Sequence, residues 1–131
     1  MKMEVIAQQV ISRAQEIAHR LGHPVCISVV DPSGLPFAFL RMDNAIPGAI
    51  DIAVKKARTA ALFRTDSITI GAEARPSGSI YTLEATNGGL ISFGGGVVLY
   101  DETGNVIGAL GISGAPVEVD QAIAMEAAGR L

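Results

Sequence analysis

Three groups of residues in this chain carry side chains able to do chemistry. The first is His23, which follows His19 by one helical turn and precedes Cys26 by three positions. Imidazole and thiol groups this close could hold haem iron or another transition metal, with His23 the leading candidate ligand. A plainer reading stands beside it. A histidine just past a helix end commonly caps it or is solvated, and a cysteine within an apolar strand commonly packs as a small hydrophobe.

The second group is Arg41 and Asp43, at the end of a strand-like run, with Lys56 and Thr59 one turn apart in a helix-like run. Convergence of these groups near one edge of a sheet would make a small-molecule site. Lys56 as cation or base, with Asp43 as its partner, would make that site catalytic for a small oxygenated metabolite. The plainer alternative is an ion pair between Arg41 and Asp43 with Lys56 in solvent.

The third group is backbone rather than side chain. Nine of the 15 glycines fall between Asn87 and Pro116. Gly94-Gly95-Gly96 runs into Val97-Val98-Leu99, with neither the Gly-Lys-Ser/Thr ending of a P-loop nor a G-x-G-x-x-G fingerprint, so a nucleotide cradle is disfavoured. Gly108, Gly111 and Gly114, at intervals of three, fit instead a flat surface that a planar ligand or second subunit can approach, or simply bulges and close packing, and the Gly94-Gly95-Gly96 surface joins the candidate ligand site. Ser113, Gly114 and Ala115 precede a helix start and offer amides to an anion. Ser28, Ser92 and Ser113 lack a nucleophile elbow, and the two histidines lie four residues apart, so no hydrolase triad is expected.

These groups need elements to position them. Apolar residues from Met3 to Leu21 recur at three- and four-residue spacing and Gly22 follows, which predicts an amphipathic helix with a glycine cap. Pro24 to Asp31 and Leu35 to Met42 read as two strands joined by Asp31-Pro32-Ser33-Gly34. Ala49 to Phe63 reads as a second helix, and Ser67 to Ala74 as a short third one capped by Asp66. Leu90 to Phe93, Gly96 to Tyr100 and Asn105 to Ser113 read as three more strands, before a last helix from Pro116 through Ala128. Asp31 and Asp101 each stand three residues before a glycine between strands, the mark of a tight hairpin. The fold class is therefore α+β, an antiparallel sheet covered by helices.

Length and composition bound the rest. A chain of 131 residues with 49% hydrophobic residues suits one domain spanning 1–131. Net charge is -3 with scattered basic residues, which argues against nucleic acid as a partner. No apolar run is long enough for a membrane span, and the start lacks a signal pattern, so a cytoplasmic location is expected. The single cysteine, Cys26, excludes an internal disulfide and agrees with a reducing compartment. Mean hydropathy of +0.39 with 18% charged residues is apolar for so small a domain and predicts a homo-oligomer.

Taken in order, several short motifs resemble the GlcG/HbpS family, which takes in the C-terminal domain of the propanediol-utilisation corrinoid adenosyltransferase. They are Val29-Val30-Asp31 with Gly34 and Leu35, Arg41-Met42-Asp43-Asn44-Ala45, and Ala53-x-x-Lys56-Ala57-x-Thr59-Ala60. Gly94-Gly95-Gly96 follows, then Gly104-x-Val106-Ile107-Gly108-Ala109-x-Gly111-x-Ser113-Gly114, and finally Asp120. The resemblance implies a profilin-like fold with a five-stranded antiparallel sheet, dimers or larger homo-oligomers, and haem or a related planar cofactor as ligand. It also implies accessory roles in glycolate or diol metabolism, or a structural place in a metabolic complex. Adenosyltransferase chemistry belongs to a domain these motifs do not cover.

Overall fold

The computed structural model describes residues 2–131. Helix α1 (Met3–Leu21) buries Ala7, Val10, Ala14, Ile17 and Ala18, the stripe expected from the three- and four-residue spacing. It ends at Gly22, whose φ of 76° lets its amide turn back onto the last carbonyls. Strands β1 (Cys26–Val30) and β2 (Pro36–Arg41) form the first hairpin. In its turn, Asp31 Oδ1 accepts the amides of Ser33 and Leu35 at 2.8 and 3.0 Å. Strands β3 (Gly96–Tyr100) and β4 (Val106–Ser113) form the second hairpin, and Asp101 Oδ1 repeats the device with the amides of Thr103 and Asn105, both at 2.9 Å.

The four strands make one antiparallel sheet in the order β2-β1-β4-β3. The sheet therefore has four strands, not five. Leu90 to Phe93, apolar enough to read as a strand, finds other acceptors for its amides. Ile91 N–H donates to Thr59 Oγ1 at 3.0 Å, Ser92 N–H to a Glu84 carboxylate oxygen at 2.9 Å, and Leu90 N–H to the Glu84 carbonyl at 3.0 Å. With its donors engaged by side chains and a turn, the segment joins no ladder.

Helices cover both faces. Ile27, Val29, Leu110, Ile112, Val97 and Leu99 pack with α1 and with α4 (Val117–Ala127). The alternate positions Cys26, Val30, Ala109 and Val98 face α2 (Ala49–Phe63). Gly96 and Gly111 are cross-strand partners on this second face. A Cβ on Gly111 would overlap the Ala53 carbonyl, and one on Gly96 the Lys56 carbonyl. The flat glycine surface is thus filled by α2 lying directly on the sheet.

The short helix α3 (Ser67–Gly71) is capped by no side chain. Asp66, expected to cap it, instead accepts the Val98 amide at 2.9 Å and pairs with Arg130 at 2.6 Å. Residues 72–95 then run without a strand and contain one turn of 3-10 helix, Leu83–Ala85.

Candidate functional site

The candidate residues fall into two groups at one end of the sheet, on opposite edges. Arg41 on β2 pairs with Cys26, which pairs with Ser113 on β4, next to which β3 begins. Three strand spacings of ~4.8 Å put the two edges roughly 14 Å apart.

On the β3 side, Lys56 projects from α2 into the interior and is 0% exposed. Its ammonium donates to the Ile112 carbonyl at 2.8 Å and to Asp120 Oδ2 at 3.1 Å, and stands 5.0 Å from the centroid of the Phe93 ring. Three donors therefore meet a carbonyl, a carboxylate and a π face. Asp120 sits in the first turn of α4, and its other oxygen accepts the Ala115 amide at 3.0 Å. The anion at this helix start is thus the chain's own carboxylate. Burial pulls the Lys56 ammonium below its usual value and pushes the Asp120 carboxyl above its own, each countered in part by the charge of the other.

Gly94, Gly95 and Gly96 wrap around this pair. The Gly95 amide donates to Gln121 Oε1 at 2.8 Å, the Gly96 amide to Ser67 Oγ at 2.9 Å, and Ser67 Oγ donates to the Phe93 carbonyl at 2.7 Å. Gly95 has φ 121°, and a side chain there would strike Lys56 Nζ and the Ile112 carbonyl. Thr59 is buried too, donating to the Lys55 carbonyl at 2.7 Å while receiving Ile91 N–H. Lys56 and the three glycines therefore meet, with Thr59 nearby through Ile91, but Arg41 and Asp43, expected to converge with them, lie at the opposite edge, and Lys56 is buried and paired with Asp120 rather than Asp43. Outside this cluster lies an open cleft of about 440 Å³ lined by Ile68, Arg75, Phe93, Val117, Glu118 and Gln121 among others.

On the β2 side, His19, His23, Pro24, Met42 and Asp43 help line a smaller cleft of about 270 Å³ between the end of α1 and the loop after β2. His23 is half-buried there, and its amide donates to the Ala18 carbonyl at 3.0 Å. Arg41 is exposed on the opposite face of the sheet, where its charge reaches Cys26. Among the described residues no ion pair joins Arg41 to Asp43. Nor do any three of the described histidines, cysteines and acidic residues gather as a metal cluster.

Sequence reasoning did not single out Arg75, Phe93 and Gln121 and met Asp120 only within the family motif. Position in the first turn of the last helix was the available signal for Asp120; Arg75 and Phe93 lie in irregular chain that periodicity does not describe.

A family model described as "Haem degrading protein HbpS-like" matches residues 4–129. An uncharacterized 15.0 kDa protein from the dhaT-dhaS intergenic region of Citrobacter freundii is 40% identical over 122 residues, covering 91% of this chain and 81% of that one. The corrinoid adenosyltransferase PduO of Salmonella typhimurium is 38% identical over 120 residues, or 91% of this chain; the chain spans only 35% of that relative's length. Among solved structures, a PduOC:heme complex superposes with a TM-score of 0.92 at 34% identity, covering 100% of this chain and 94% of the other.

Proposed function

The chain belongs to the HbpS-like family, and on that premise we propose that it is a small accessory protein that binds haem as a homo-oligomer, with His23 as iron ligand. The observation that carries the reading is the cleft of about 270 Å³ at the end of α1, where two imidazoles one turn apart meet the apolar walls of Pro24 and Met42. The donor set fits haem, which supplies four iron ligands itself and asks the protein for one or two. Asp43 stands at the rim, while Arg41, on the opposite face of the sheet, takes no part in the cleft. Haem itself supplies the redox and gas-ligand chemistry; the chain's part is to orient it and limit its exposure to water.

An exposed apolar strip supports the oligomeric half of the proposal, on the face of the sheet away from the His23 cleft. The face of β2 beyond α2 leaves Phe37 44% and Phe39 41% exposed, with Leu35 and Ile46 also outside the core. That apolar strip is where a second copy docks. Lys56, Thr59 and Gly94 to Gly96 serve as the support of the other edge. No described helix is long and apolar enough to cross a membrane.

Titration with haemin, followed in the Soret band, tests the ligand. A saturable shift is expected, with affinity reduced about tenfold or more and the band displaced in His23→Ala. No saturable shift would reject haem; a band unchanged in His23→Ala would reject the ligand assignment.

A further inference from the structure

The cleft on the β3 side is remote from His23 and takes no part in the haem reading. Its floor and walls are apolar, from Ile68, Phe93 and Val117, and its volume of about 440 Å³ is that of a small-molecule site. Phe93 is 45% exposed although its carbonyl is pinned by Ser67 and its ring stands over the buried Lys56 ammonium. With the ammonium on one side of the ring, the exposed part of Phe93 lines the cleft.

Polar groups converge on this apolar body. Arg75 lines the cleft and enters no ion pair among the described residues; its Nε makes only a long bond of 3.4 Å to the Gly71 carbonyl. Gln121 gives its oxygen to the Gly95 amide, which leaves its NH2 group free to donate. Glu118 is the one carboxylate on the lining, and no ion pair joins it to Arg75. The neighbouring Asp120 is already neutralised by Lys56. An unpaired guanidinium, a free amide donor and an exposed aromatic ring together match a carboxylate on a flat apolar body. Glu118 opposes a second negative charge on the same ligand.

We propose that this cleft binds a small monocarboxylate with a planar or apolar body, its carboxylate on Arg75 and Gln121 and its body against Phe93 and Val117. The guanidinium provides orientation through paired donors, and the ring, backed by Lys56, provides the stacking surface. Because the site is built without His23, Asp43 or Arg41, its occupancy is independent of haem.

Benzoate is the probe, with benzamide as the neutral isostere, each titrated into the full chain and followed by amide NMR shifts. The expected result is saturable benzoate shifts centred on Phe93, Val117 and Gln121, with benzamide about tenfold weaker. Arg75→Gln removes that preference, Phe93→Leu weakens both probes, and Glu118→Gln lets phthalate bind. Equal affinity for the two probes, shifts centred elsewhere, or unchanged benzoate binding in Arg75→Gln would overturn the proposal. Displacement of benzoate by one equivalent of haemin would also overturn it, assigning the cleft to haem itself.

Discussion

Lys56 of α2 and Asp120 of α4 meet at 3.1 Å beside the end of β4, with side chains 0% and 3% exposed. The pair ties the two helical layers through one end of the sheet. Removing one member leaves the other as an uncompensated buried charge, whereas replacing both with neutral groups relieves the desolvation of each. Lys56→Met alone is expected to cost about 3–5 kcal/mol in urea denaturation. Adding Asp120→Asn should recover a large part of that loss, since Asn keeps an acceptor for the Ala115 amide. Additive losses in the double variant would show that the two side chains act separately.

The free edge of β3 is occupied by side chains. Asp66 takes the Val98 amide, while Arg130 pairs with Asp66, donates to the Val98 carbonyl at 3.3 Å and stacks on Tyr100 at 5.2 Å. An edge so covered is closed to strand addition. Arg130→Ala should lower stability by about 1–2 kcal/mol and promote concentration-dependent association that light scattering detects. Unchanged scattering at high concentration would contradict the edge-blocking role.

The opposite arrangement holds at β2, whose outer face leaves Phe37 and Phe39 uncovered. Phe37→Ser with Phe39→Ser should lower the molar mass in sedimentation toward that of one chain while leaving far-UV dichroism unchanged. A mass identical to that of the parent would place the contact elsewhere.

Cys26 is buried on the face under α2, and desolvation pushes its thiol up from 9.0 despite the opposing charge of Arg41. The thiolate is the reactive form, so the native protein should resist a disulfide reagent at neutral pH and react stoichiometrically once unfolded. Rapid native reaction would mean that β1 opens locally on the assay timescale.

Asp101 holds the β3–β4 turn, and amide and hydroxyl bonds from Asn105 and Thr103 pull its carboxyl below the usual 3.8. A depressed folded value makes its contribution to stability fully present above pH 3.8 and lost as pH falls through the folded value. Asp101→Asn should therefore be less stable than the parent at neutral pH, with the difference shrinking as the solution is acidified below 3.8. A gap that is constant with pH would point to geometry rather than charge.

Local rules accounted for the elements that rest on local chemistry. The spacing of Ala7, Val10, Ala14 and Ile17 set the buried stripe of α1, Gly22 its end, and Asp31 and Asp101 the two hairpin turns. Such features depend on residues within a few positions of each other, so one sequence carries them. Leu90 to Phe93 was misleading for the complementary reason. Its apolar character matched a strand, but a strand also needs a neighbour with free donors and acceptors, and Thr59 and Glu84 had already engaged its amides.

The sites divide in the same way. Residue types and order were enough to nominate Lys56, Thr59, the three glycines and His23, and to indicate the family. Tertiary structure alone decided that Lys56 faces Asp120, 64 residues away, and that Gly96 and Gly111 admit the backbone of α2. It likewise separated Arg41 from Lys56 across the width of the sheet. Partner choice for a buried charge depends on which group desolvation leaves within reach, and that follows from packing between layers rather than from spacing along the chain.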